Sequence, residues 1–373
     1  MIARLMLFTC FVAITSLVAT AAGQELPAIA KHNRWVTSLA FTADGSQLVT
    51  GGGESLQYRA GDVKIWNPKT GALVASLEGQ PTNVWSVAVT GDGKTLLTSG
   101  YDGKVIVWDV AEKKPKQTLE KHKSWCRSVA LSPDGKHFAS AGEDGNVIVW
   151  ETEGLKELKT IKAHEAAVYD VAFSPDGATL ATCATDKLAK LWDWNAGTEK
   201  AKLEGHADAV WAVAWNKDGS SLATCGADRK IKLWDAAGKE QATLEGHKDW
   251  VTGVSFSPDG GTLASSSHDR SVKLWDVKEK KESATLGPYK STVWTVAFSP
   301  DGAILATGSH NDSIKLWNVA SRAEVFPGPA DPKAAEAKPA EAKPTEKKDE
   351  KAAEKKDEKA GEKKADKPAE EKK

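Results

Sequence analysis

Short runs of alternating apolar and polar residues recur along the chain, separated by turn residues. In the segment 164–206 these runs are 168–173, 178–183, 188–193 and 199–203. Ser-Pro-Asp-Gly follows the first run and Asn-Ala-Gly precedes the last. Pro fixes φ at the second position of a reverse turn, and Gly closes the turn. Strand-length runs with turn signals about every 8–12 residues predict four short β-strands in this segment.

The four-strand unit is repeated seven times. Each copy carries an Asp-Gly turn and ends its third run with a Trp, and successive Trp residues are 42 residues apart, with one interval of 41: Trp66, Trp108, Trp150, Trp192, Trp234, Trp275 and Trp317. A unit of this size cannot bury its own apolar face, so neighbouring copies must stack. A closed ring leaves only short outer edges. We therefore predict an all-β, seven-bladed β-propeller of four-stranded antiparallel blades, followed by a disordered C-terminal tail.

These motifs resemble the WD40 repeat family, whose members form β-propellers. The resemblance covers about 24–327 and implies a buried hydrogen-bonded set of His, Ser or Thr, Asp and Trp in each blade. Four blades fit this set with His 28, the hydroxyl 10 and Asp 6 residues before the Trp. The four sets are His122, Ser140, Asp144 and Trp150; His164, Thr182, Asp186 and Trp192; His206, Thr224, Asp228 and Trp234; and His247, Ser265, Asp269 and Trp275.

Three blades depart from this pattern. Blade two has Gln80 and blade seven has Tyr289 where His is expected, and blade one has six extra residues before its Trp. These departures leave the polar set open in those blades. Ring closure is open too, because either 25–31 or 321–326 could supply the outer strand of the last blade; we favour 25–31.

The two ends of the chain differ from the repeats. Residues 1–22 combine Arg4, an apolar run and small residues at the exit, which predicts a cleaved secretory signal peptide. The alternative is an uncleaved membrane anchor. Residues 328–373 contain only small, charged and Pro residues besides one Thr, which predicts a disordered tail. The domain prediction is therefore signal 1–22, propeller 24–327 and tail 328–373, in an exported bacterial protein that is secreted or periplasmic, or membrane-anchored if the signal stays.

Charge argues against nucleic acid as a partner. The chain has 50 basic and 51 acidic residues; the tail after residue 330 holds 14 and 13 of them and the N-terminal segment holds Arg4, which leaves 35 basic and 38 acidic residues in 24–330, a net charge near −3. A phosphate-binding surface would be net basic. We expect a monomer with no stable membrane insertion after signal cleavage.

Candidate catalytic and metal-binding residues are explained by the repeat. Asp, His and Ser combinations recur blade after blade, whereas a catalytic group is normally unique in its chain. His268 and His310 lie outside the repeated His position and could begin a metal site, but no further ligand pattern accompanies them. We predict no catalytic residue, no metal and no cofactor, so not an enzyme.

A second set of aromatic residues is more informative. Each repeat places one at the third or fifth position after its His-equivalent, at the start of the first strand: Trp35, Trp85, Trp125, Tyr169, Trp211, Trp250 and Trp294. In WD40 propellers the corresponding positions rim the mouth of the central channel. Exposed aromatics around a concavity suit a protein partner, because Trp and Tyr dominate interface hot spots. The alternative is that these rings only cover neighbouring side chains.

Other residues would extend this rim. Tyr101, His268 and His310 lie next to the turn between the second and third strands, and the blade-one insertion adds Tyr58 and Arg59. The sequence therefore predicts a non-enzymatic scaffold that presents an aromatic-rimmed propeller face to protein partners outside the cytoplasm. One alternative is an envelope protein that binds glycan or cell-wall polymer, and a weaker alternative is a propeller enzyme.

Overall fold

The computed structural model describes residues 35–53, 59–310 and 314–326. These residues form seven antiparallel sheets, six of four strands and one of three, each ordered from inner to outer strand along the chain. The fold prediction of a seven-bladed β-propeller is thus confirmed. The predicted signal, the tail 328–373, the segment 25–31 and Tyr58 lie outside the described residues.

The 27 strands fall into four rings, numbered β1 to β27 in chain order. The inner strands are β1 Trp35–Phe41, β5 Val84–Val89, β9 Cys126–Leu131, β13 Val168–Phe173, β17 Val210–Trp215, β21 Val251–Phe256 and β25 Val293–Phe298. The second strands are β2 Leu48–Gly53, β6 Thr95–Gly100, β10 His137–Gly142, β14 Thr179–Ala184, β18 Ser221–Gly226, β22 Thr262–Ser267 and β26 Ile304–Ser309. The third strands are β3 Gly61–Trp66, β7 Lys104–Asp109, β11 Asn146–Glu151, β15 Ala189–Asp193, β19 Ile231–Asp235, β23 Val272–Asp276 and β27 Ile314–Asn318. The outer strands are β4 Leu73–Leu77, β8 Lys114–Glu120, β12 Glu157–Lys162, β16 Thr198–Leu203, β20 Glu240–Leu244 and β24 Lys281–Leu286.

The core lies between the blades. Seven apolar clusters are each built from two neighbouring blades, so every blade is covered on both faces. One of these clusters closes the ring: Val36 and Trp66 of the first blade pack with Ala306 and Leu316 of the last. This is the stacking that the repeat requires, because a single blade cannot bury its apolar face.

The segment that follows β27 contacts the outer edge of the last blade, while the favoured closing segment 25–31 lies outside the described residues. Residues after β27 turn back beside it, where the amide N–H of Val325 donates to the carbonyl of Leu316 at 2.7 Å. Glu324 lies opposite Trp317 and forms an ion pair with Lys315 at 2.6 Å. Within the described residues, therefore, the C-terminal segment occupies the start of the outer-strand position.

Candidate functional site

The His-containing sets form a directed chain of hydrogen bonds inside each blade. In blade five the indole N–H of Trp234 donates to Thr224 at 2.8 Å, and Thr224 lies 2.8 Å from Nε2 of His206. Nδ1 of the same imidazole lies 2.8 Å from Asp228. Because the carboxylate can only accept, Nδ1–H donates to Asp228; Nε2 of the neutral imidazole then accepts from the Thr224 hydroxyl, which accepts from the indole. Each side-chain polar group of this set of four residues thus has a hydrogen-bond partner.

The other three sets repeat this geometry. The His-to-Asp distances are 3.2, 2.8 and 2.8 Å in blades three, four and six. The corresponding Trp-to-hydroxyl distances are 3.0, 3.1 and 2.9 Å. Burial lowers the pKa of His164, which favours the neutral imidazole that the chain of hydrogen bonds requires. Burial by itself would raise the pKa of Asp228, but the hydrogen bond and charge of His206, together with the N–H groups of Ala207 and Lys230, outweigh burial, and the pKa of that carboxyl is lowered.

Of the three departing blades, blades two and seven keep a polar set with different chemistry. Gln80 is buried, and its carbonyl oxygen accepts from Thr98 at 2.8 Å, while Trp108 donates to the same hydroxyl. In blade seven the hydroxyl of Tyr289 takes the place of the imidazole: Trp317 donates to it at 2.7 Å, and it contacts Thr307 at 2.9 Å. The networks left open by the sequence are therefore present in both blades. These residues serve the architecture.

Two successive positions of the inner strands line a cavity of about 180 Å³ at the centre of the ring. The first position, five residues after each His-equivalent, contributes Thr37, Trp85, Arg127, Tyr169, Trp211, Thr252 and Trp294. The second, one residue later, contributes Ser38, Ser86, Ser128, Asp170, Ala212, Gly253 and Thr295. The sequence prediction found the aromatic members of the first position and missed Arg127 and Asp170.

Most rings of the predicted aromatic rim form two groups of mutually contacting rings. Tyr101 lies between Trp85 and Trp125, with ring centroids 4.7 and 4.5 Å away. Its side chain is buried, so Tyr101 supports the rim from within and is not accessible, contrary to its predicted place on the binding surface. The second group runs through five rings at centroid distances from 4.8 to 5.5 Å: Tyr169, Trp211, Trp250, His268 and Trp294.

Arg127 joins these two groups. Its guanidinium carbon lies 4.0 Å from the ring centroid of Trp85, 4.9 Å from that of Trp125 and 4.8 Å from that of Tyr169. Glu143 accepts from Nε of Arg127 at 2.8 Å and neutralises the charge. A guanidinium packed against aromatic faces gains cation–π attraction. The sequence held one indication that Arg127 is unusual. Blade three alone carries a Trp or Arg at both the third and the fifth position after its His-equivalent, as Trp125 and Arg127.

The other described members of the predicted rim are Trp35, His310 and Arg59. Trp35 and His310 contact each other at 4.2 Å between ring centroids. Arg59 is exposed just before β3. Across the described ranges, no three His, Cys, Asp or Glu side chains are grouped closely enough to hold a metal ion, His268 and His310 included.

Asp170 connects three blades at the cavity wall. One carboxylate oxygen accepts from Ser128 at 2.7 Å and from the N–H of Val171 at 2.9 Å, and the other accepts from the N–H of Val213 at 3.0 Å. Burial raises its pKa to about 6, against the lowering effect of these hydrogen bonds. Asp170 is the one acidic residue among the described residues that line the cavity. Since both carboxylate oxygens accept hydrogen bonds from the protein, Asp170 serves to connect the blades.

Uncompensated polar atoms are concentrated at the rim. Buried N–H, N or O–H groups without a hydrogen-bond partner in the protein occur on five of the predicted rim residues: Trp85, Tyr101, Trp211, His268 and Trp294. Leaving such a group unpaired costs about 1–3 kcal/mol. Natural structures hold few such groups, so a cluster of them marks this end of the ring as functionally distinct from the satisfied interior of the blades.

Three family models match parts of the chain. They are described as WD domain, G-beta repeat, over residues 23–67, Echinoderm microtubule-associated protein second beta-propeller, over 84–223, and IFT122 first beta-propeller, over 168–328. These matches support a WD40-type β-propeller.

No helix among the described residues has the length and apolar character needed to cross a membrane.

Curated relatives match over short segments. Autophagy-related protein 16 of Arabidopsis thaliana is 34% identical over 91 residues, which is 24% of this chain and 17% of that protein. Periodic tryptophan protein 2 homolog of Schizosaccharomyces pombe is 30% identical over 101 residues, 27% of this chain and 11% of that protein. Methylosome protein WDR77 of Xenopus laevis is 29% identical over 91 residues, 24% of this chain and 26% of that protein. The chain thus spans about a quarter or less of these relatives, and all three come from eukaryotes.

Proposed function

We propose that the protein is a non-enzymatic scaffold that binds a protein partner on the aromatic face of its propeller, outside the cytoplasm. The observation that carries this proposal is the rim itself, a nearly continuous arc of rings that also holds five buried polar atoms without partners. WD40-type propellers bind protein partners, which supports the same class of function. The apolar run and small-residue exit of 1–22 support export, with a bacterial envelope as the setting.

Trp250 is the residue best placed to contact a partner. Its side chain is 41% exposed, the highest exposure of any large apolar side chain in the described rim. Trp211 stacks on it and His268 contacts it at a tilt of 44°, so the ring is held in place before binding. A preorganised aromatic loses little conformational freedom when it is buried by a partner, and such residues form hot spots.

Affinity capture from envelope extracts tests this function. Trp85, Trp211 and Trp294 replaced together by Ala should abolish capture, since hot-spot aromatics cost at least about 2 kcal/mol each and the sum exceeds a hundredfold in affinity. The single variant Trp250→Ala should also weaken capture, and it should do so without a change in melting temperature, because the Trp250 ring is exposed. Trp194→Ala is the matched control: its indole donates to Gly177 at the opposite end of the strands, so capture should be unchanged.

The outcome of the capture decides among the candidate functions. A protein lost in both rim variants and kept in the control supports the scaffold. A polysaccharide lost in the same pattern supports the glycan alternative instead. If the folded Trp250→Ala and triple variants retain the partner at full strength, the rim is not the binding surface and the proposal fails.

A further inference from the structure

The outer strand of the first blade differs from every other outer strand that the structure describes. Lys or Glu residues occur in β8, β12, β16, β20 and β24, whereas β4 reads Leu-Val-Ala-Ser-Leu and carries no charge. Charged residues, Lys above all, are the usual protection of a sheet edge against pairing with another chain. β4 lacks this protection.

The missing charge can be assigned to one position. In blades four to seven a Lys on the third strand forms an ion pair with a Glu beside the closing Trp, at 3.0, 2.9, 2.8 and 2.6 Å. Glu240 lies opposite Trp234 in blade five, and Leu73 lies opposite Trp66 in blade one. Blade one keeps the Lys, as Lys64, but replaces the Glu with Leu73. The edge has therefore lost the anionic half of a pair that four other blades retain.

The substituted residues are exposed. Leu73 is 45% and Val74 47% accessible, the two largest values among the large apolar side chains of the described chain. Ser76 is exposed as well, while Ala75 and Leu77 face the core between blades one and two. The sheet order β1-β2-β3-β4 leaves the outward N–H and C=O groups of β4 at the edge. An exposed apolar strand with unpaired backbone groups is a template for strand addition.

We propose that β4 pairs antiparallel with β4 of a second copy of this chain and joins two propellers edge to edge. A two-fold axis near Ala75 brings uncharged residues of both copies together and removes Leu73 and Val74 from water. A two-fold interface uses the same surface twice, so the strand must be compatible with itself. β4 meets this requirement, whereas the other described outer strands would bring charged residues into the pairing.

The charges that flank β4 favour the antiparallel orientation. Exposed Lys69 lies in the turn before the strand, and exposed Glu78 follows its last residue. Antiparallel pairing places the Glu78 end of one copy beside the Lys69 end of the other, whereas parallel pairing would bring like charges together. Opposite charges at the ends of an interface select orientation more than they add affinity. This dimer replaces the monomer expected from the sequence and is independent of the aromatic rim.

Sedimentation equilibrium of the purified full chain over a wide concentration range tests the proposal. The wild type should show a monomer–dimer equilibrium. Leu73→Glu should fold normally, because it restores the residue that blades four to seven carry and gives Lys64 a partner. It should weaken dimerisation at least tenfold, which corresponds to about 1.4 kcal/mol. Val74→Lys should have the same effect.

Matched substitutions separate this edge from a general surface effect. Gln241→Lys in β20 is equivalent to Val74→Lys, since both follow the residue opposite the closing Trp, and it should leave the dimer intact. The rim variant lacking Trp85, Trp211 and Trp294 should dimerise normally, so failure here is distinguishable from failure of the scaffold function. A wild type that is monomeric at all concentrations, or a dimer that survives Leu73→Glu, overturns the proposal.

Discussion

At the scale of single residues, a buried polar set around the closing Trp holds the strands of a blade together, and its members differ between blades. The intervals between His206, Thr224, Asp228 and Trp234 recur in four blades, so the contact between them was readable from the chain. Gln80 and Tyr289 depart from the pattern, yet the amide oxygen of Gln80 and the phenol of Tyr289 contact the hydroxyl at the repeated Ser or Thr position, as the imidazole does in other blades. The residue type at one position does not show whether Gln or Tyr can replace the His contact, because that contact depends on the space that the neighbouring strands leave.

Replacing the two polar residues by Ala should give unequal losses of stability. His206→Ala removes two hydrogen bonds and leaves Asp228 without its imidazole, which should cost about 1–3 kcal/mol of unfolding free energy. Gln80→Ala removes one side-chain hydrogen bond, the one from Thr98, and should cost less. Denaturant melts of both variants give the comparison. Equal losses would argue that the carboxylate contact contributes nothing.

At the scale of elements, turn chemistry and alternation placed the strands to within about one residue. In blade four the predicted runs 168–173, 178–183, 188–193 and 199–203 correspond to β13, β14, β15 and β16. Local rules suffice here because each turn fixes the register of the strands it joins, and Gly177 takes the positive φ of 72° that its turn demands. The last outer position was predicted less well, since two segments had suitable composition and only packing could choose between them.

Two C-terminal truncations should separate the closing segment from the tail. Ending the chain after Arg322 removes the Lys315–Glu324 pair, the backbone contact of Val325, and the packing of Val325 and Phe326 on the closing cluster. We expect a loss of about 3 kcal/mol, given roughly 1 kcal/mol for each such contact. Ending it after Gly328 should leave the melting temperature nearly unchanged, because 329–373 contains no large apolar residue. The protein that ends at Arg322 lacks every residue that the protein ending at Gly328 lacks. Equal, full-sized losses in both would therefore contradict this assignment.

At the scale of the whole molecule, ring closure brings together residues that are far apart in the chain. Arg127 meets Trp85 and Tyr169, each about one repeat away, and Asp170 links β9, β13 and β17. Neither residue belongs to a sequence motif, and each stands where other blades carry a different residue. Their role follows from the closed ring, which turns one strand position into a circle of seven neighbours.

Asp170 should make stability depend on pH in a defined direction. A carboxyl whose pKa rises from 3.8 to about 6 on folding binds its proton more tightly in the folded state, so its contribution is most favourable at low pH. The unfolding free energy of the wild type relative to Asp170→Asn should therefore fall as pH rises from about 4 to about 6, and then level off. Comparing the two proteins cancels the titration of His and other Asp residues. A difference that is constant, or that increases over this range, would contradict the burial of this carboxyl.

The sequence by itself determined the strands of the unit, the turns and the seven-fold repeat, and its resemblance to WD40 repeats implied the polar set of four blades. These features depend on contacts inside one unit, where alternation and fixed spacing describe the geometry completely. Tertiary structure decided which segment begins the last outer strand and how Arg127 and Asp170 join neighbouring blades. It also decided which rim aromatics are accessible and that β4 is an exposed edge strand without charged residues. All of these depend on solvent exposure or on contacts between units, and a linear pattern does not record how closely one repeat covers the next.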